Sequence, residues 1–81
     1  MARKPKPTLS ELRRAVVMAA AEYAAAVGRA QFTDGVRSAT LLDEAHWERS
    51  RSLWQHADET RERFLAALRR FERGVRAFRR G

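Results

Sequence analysis

Apolar and small side chains recur at alternating spacings of three and four through two long stretches of this chain. A period of 3.5 admits little besides helices packed along a stripe. The first stretch runs Leu9, Leu12, Val16, Ala19, Tyr23, Ala26 and Ala30. The second runs Trp47, Ser50, Trp54, Ala57, Arg61, Phe64, Leu68, Phe71, Val75 and Phe78. Small side chains in the second half of the first seam let a neighbouring helix come close.

Punctuation divides the chain. Pro5 and Pro7 hold residues 1–7 extended as a flexible basic arm and bar helix until after Pro7. Thr8-Leu9-Ser10-Glu11 has the form of a capping box, in which Thr8 covers a free amide and Glu11 reaches back. The one break lies between Gln31 and Ala39. Thr33-Asp34-Gly35 is turn chemistry there, and Gly28 weakens the helix before it. Thr40 to Asp43 reads as a second helix start, with Asp43 and Glu44 suited to the positive end of the dipole. From there to Arg80 no proline or turn cluster intervenes. Ser52-Leu53-Trp54-Gln55 imitates a cap without a preceding loop, so a kink near Ser50–Ser52 is expected rather than a third helix. Gly74 is expected to fray the end.

The pattern predicts an all-α fold: an antiparallel helical hairpin over residues 8–81, with a short helix at about 9–31 and a long one at about 40–79. Antiparallel register brings Tyr23 near Trp47 and Leu12 near Ala57 or Arg61, with both tryptophans in the core. At 1.5 Å per residue these helices span roughly 35 and 60 Å. The first therefore covers the second only to about Glu62. Phe64, Leu65, Leu68, Phe71, Val75 and Phe78 project beyond it, and monomers rarely tolerate such a patch in water.

At 81 residues without cysteine, the chain is near the small end of what folds alone and has no disulfide to support it. Self-association, as a coiled coil or four-helix bundle, is the expected support, with Phe64, Leu68, Phe71, Val75 and Phe78 as its interface. The lack of cysteine suits a cytoplasmic protein. No apolar signal segment follows the basic arm. The run Val16 to Val27 is interrupted by Glu22 and falls short of the roughly 20 residues a bilayer demands, so no membrane span is expected.

Charge is unevenly placed. Lys and Arg number 17 against 10 Asp and Glu, a net +7. Residues 1–14 carry +4, residues 15–60 carry −3 and residues 61–81 carry +6. Only Lys4 and Lys6 are lysines. A GC-rich genome supplies arginine codons in excess, but arginine is also the side chain that meets phosphates and carboxylates bidentately. Arg69, Arg70, Arg73, Arg76 and Arg80 fall on the side of the long helix opposite Leu68, Phe71, Val75 and Phe78.

Catalytic and metal chemistry is poorly supplied. Asp43-x-x-His46 has a spacing that puts two ligands on one helical face, yet the first helix offers only Glu11 and Glu22 to complete such a site. His56-x-Asp58 cannot share a face. No Gly-rich phosphate loop or HExxH pair occurs. No enzyme activity, cofactor or metal is expected. Arg61 places a cation in the seam, where it either fixes register by pairing with Glu11 or an acid of another copy, or snorkels outward.

Phe32-Thr33-Asp34-Gly35 lacks the Trp of the small secreted hairpins with a Trp-x-Gly turn. In outline alone the chain resembles small dimeric RNA-binding hairpins, and its size and Arg-Ala composition fit an accessory protein of a phage or mobile element. The expected function is contact with nucleic-acid phosphates by an oligomer, through Arg3, Lys4, Lys6, Arg69, Arg70, Arg73, Arg76, Arg79 and Arg80. No base-reading motif is visible, so contact would be mostly independent of sequence. Two alternatives stand beside it. One is an adaptor or inhibitor that meets an acidic or apolar protein surface through the C-terminal helix. The other is a homo-oligomeric structural component.

Overall fold

A computed structural model describes residues 6–37 and 44–80 of the chain. Its described residues form two helices packed side by side as an antiparallel hairpin: α1, Leu9–Arg37, of 29 residues, and α2, Glu44–Arg80, of 37. The capping box forms as expected. The Glu11 amide donates to Thr8 Oγ1 at 3.1 Å, and the Thr8 amide donates to Glu11 Oε2 at 3.4 Å. The two helix ends nearest the chain termini make the open end of the hairpin, and residues 38–43 join the helices at the other.

The expected break is corrected. Thr33-Asp34-Gly35 is helical, and α1 continues to Arg37. A tertiary bond accounts for this. Asp34 accepts hydrogen bonds from Ser50 Oγ and from Trp54 Nε1, the latter at 2.8 Å. The Thr33 carbonyl lies 3.4 Å from His46 Nε2. Turn preference in Asp arises from bonding its own backbone, and here α2 supplies better partners. The helix start expected at Thr40 to Asp43 falls outside the described residues. α2 is one helix through Ser50–Ser52.

A longer α1 moves the register. Tyr23 stacks on Phe64, ring centroids 6.2 Å apart, instead of meeting Trp47. That is about five helical turns further along α2. Glu22 sits 3.8 Å from Arg63. Leu12 and Leu9 lie over Gly74, where a Cβ would come within 2.7 Å of Leu12 Cδ1 and 3.3 Å of Leu9 Cδ2. Leu12 is thus at Gly74, not near Ala57 or Arg61. Gly74 does not end the helix; it makes room for α1. The predicted overhang beyond Glu62 is gone. Phe64, Leu65, Leu68, Phe71 and Val75 are half-buried within the hairpin, and only Phe78, 73% exposed, projects past α1.

Among the described residues only small side chains are buried: Ala26, Ala30, Ala57, Ala67, Ser50 and Thr60. The register puts Ala26 level with Thr60 and Ala30 level with Ala57, so small meets small. Thr60 Oγ1 donates to the Ala57 carbonyl at 2.7 Å, which satisfies its hydroxyl inside the seam. Larger apolar groups flank this seam half-covered, as two helices without a third layer require. The tryptophans are corrected too: Trp47 is 42% and Trp54 37% exposed.

Candidate phosphate-binding edge

Helical position sorts α2 into a seam, two flanks and an outer edge. Arg69, Arg73, Arg76 and Arg80 recur three and four apart along that outer edge, away from α1. Arg73, Arg76, Ala77 and Arg80 line an open cleft of about 380 Å³. Arg70 lies to one side of the row and Arg79 to the other. All six arginines are exposed. Among the described residues none is paired with a carboxylate, whereas Arg63 lies within reach of Glu22. Arg79 and Arg80 stand in the last turn, where a cation also offsets the negative end of the helix dipole.

The arm contributes less that can be placed. Arg3 and Lys4 lie outside the described residues. Lys6 is exposed at the open end, some way round the hairpin from the arginine row. With Pro7, Thr8, Leu9, Leu12, Gly74, Ala77 and Phe78 it lines an open cleft of about 510 Å³. The walls of this cleft are mostly apolar and its rim is basic.

The five apolar residues expected at an interface divide. Phe64 belongs to the hairpin itself through Tyr23. Phe71 and Val75, with Glu72 and Arg76, border an open groove of about 410 Å³. Leu68 lies beside them on the flank and Phe78 stands free at the tip. Arg61 is exposed on that same flank, one turn from Asp58.

Two histidines fall to structural neighbours. His46 faces the Thr33 carbonyl, and its expected companion Asp43 lies outside the described residues. His56 Nδ1 sits 3.9 Å from Glu59 Oε2, one turn on, rather than near Asp58. No group of three or more potential metal ligands occurs among the described residues. No helix among the described residues is long and apolar enough to cross a membrane. Sequence reasoning missed the Asp34–Ser50–Trp54 cluster, since Asp34 read locally as a turn residue. No family model matches the chain, and no curated protein or solved structure shows significant similarity to it.

Proposed function

We propose that the protein binds nucleic-acid phosphates along the outer edge of the C-terminal half of α2. The observation that carries this reading is the row of exposed arginines, unpaired with acids among the described residues, on a segment of net +6. An exposed surface salt bridge is worth little, so such a row does little for the fold. Its field attracts polyanions, and guanidinium groups meet phosphate oxygens bidentately. A straight row of side chains supports backbone contact, with affinity governed by counterion release.

Retention of a duplex and of a single-stranded RNA at 50 mM salt, followed through a salt titration, tests this. Four to six phosphate contacts give a log–log slope of about −4 to −5 on the duplex. Replacing Arg69, Arg70, Arg73 and Arg76 together by Glu should abolish retention with the helical circular dichroism unchanged. If the native protein retains neither polymer at 50 mM salt, the reading is wrong. The apolar, basic-rimmed cleft of Lys6, Leu9, Leu12 and Phe78 then favours the second reading, a protein partner whose apolar side chain enters it.

A further inference from the structure

The two broad sides of the hairpin differ. One carries Arg49, His56, Arg63 and Arg70 of α2 beside Glu22 and Arg29 of α1, with Met18 and Phe32 separated among them. The other carries Trp47, Trp54, Leu65, Leu68 and Val75 of α2 beside Ala20 and Val27 of α1. The bond from Trp54 to Asp34 fixes which α1 flank lies on this second side. The apolar stripe of α2 is wider than α1 covers: Trp47 and Trp54, 42% and 37% exposed, lie on this second side, and Phe78 stands at the tip. Two open grooves mark it, one between Trp47 and Trp54 of about 460 Å³ and one beside Phe71 and Val75.

Area argues for an occupant of the same size. The accessible surface is 6895 Å² for a chain of 9.3 kDa, against about 5,000 Å² expected of a folded monomer of that mass. The radius of gyration is 18.2 Å, against about 12 Å for a compact domain of this length. Obligate homodimers remove about 1,000 Å² or more from each subunit, and this chain has that much to spare. A two-fold pairing of one apolar side with itself meets the need with no other component.

Charge selects the orientation. Among the described residues the open-end half, 6–21 and 61–80, carries +8, and the other half carries −2. Side by side in parallel, two copies would set +8 against +8. Antiparallel, each basic half lies over the acidic half of the other. We propose that two copies pack antiparallel through the side carrying Trp47, Trp54, Leu65, Leu68 and Val75, making a four-helix bundle with α2 over α2. Arg61 then falls level with the partner's Asp58, and Trp54 with the partner's Leu65. Arg69, Arg73 and Arg80 remain outside, Arg76 borders the covered groove, and one basic end lies at each end of the bundle. This proposal deepens the oligomer expected of the phosphate-binding reading, but it does not depend on phosphate binding.

The test uses the full chain without nucleic acid, so its failure is separate from that of the salt titration. Sedimentation at about 20 μM should give a dimer. The chain has no cysteine, so single thiols report the geometry. With the two-fold near residues 59–60 of α2, oxidised Arg61→Cys should form a covalent dimer, since disulfides need Cα atoms within about 7 Å. Glu72→Cys should not, because its two copies stand roughly 35 Å apart at 1.5 Å per residue. Met18→Glu on the other side should leave the dimer intact. A monomer at 20 μM overturns the proposal. So does crosslinking of Glu72→Cys as efficient as that of Arg61→Cys, or loss of the dimer in Met18→Glu.

Discussion

Asp34 is the residue whose role depends most on the fold, and its removal is the sharpest test of the register. Asp34→Ala takes away the acceptor of Ser50 Oγ and of Trp54 Nε1. Hydrogen bonds to a charged group contribute about 1.5–3 kcal/mol, and a buried hydroxyl left without a partner costs a similar amount. Ser50 is 2% exposed, so water cannot replace its acceptor, although its hydroxyl can turn to a carbonyl of its own helix. Trp54 is 37% exposed, and its indole can bond water at small cost. Alanine also returns roughly 0.6 kcal/mol of helix propensity. The net loss should be about 2 kcal/mol, which lowers Tm by roughly 8–16 °C in a domain of this size. Urea unfolding followed at 222 nm, at one fixed protein concentration because association shifts apparent stability, measures it. Ser50→Ala should cost about 1 kcal/mol, and the double variant should show about 1 kcal/mol of coupling to Asp34. A loss below about 0.5 kcal/mol for Asp34→Ala is what a solvated surface aspartate would give, and it would refute the helical tether.

Substitutions at three further positions test the helix ends and the seam. Gly28 has nothing within 4 Å of a Cβ, whereas a Cβ on Gly74 meets Leu12 and Leu9. Gly28→Ala should therefore stabilise by about 1 kcal/mol in thermal melts, Gly74→Ala by clearly less, and Gly74→Val should destabilise. Thr8→Ala removes the cap of α1 and should cost about 1 kcal/mol; a melt unchanged by it would mean the capping box adds nothing.

Much of the fold is legible in residues that act locally. Pro7 and the Thr8–Glu11 box place the start of α1, because proline geometry and a cap operate within one turn of chain. The three-four rhythm gives two helices, since it repeats over many turns and no other backbone period satisfies it. What is not legible is set by partners far away in sequence. Asp34-Gly35 favours a turn in isolation, and the donors that hold it helical lie sixteen and twenty residues on. The arginine edge was legible because an outer face needs only helical period and charge. The division of the Phe64–Phe78 stripe between seam and flank depends on register, and register depends on where the chain reverses.

The misplacement of the tryptophans has a physical cause that reaches the function. Small alanines invite bulky partners if the aim is to fill space between helices a fixed distance apart. Helices are free to close that distance, and interaxial separation falls with side-chain size. Ala26, Ala30, Ala57 and Thr60 facing one another bring the backbones together and leave Trp47 and Trp54 no room between them. The seam is then well defined but releases little apolar area from water, since alanine and threonine have little to give. The larger apolar side chains, displaced to one flank, stay only partly covered, Trp47 at 42% and Trp54 at 37% exposed. A hairpin built this way holds its shape through a narrow seam and leaves Trp47 and Trp54 partly exposed on one outer side. Arg69, Arg73 and Arg80 lie on the outer edge, away from that side.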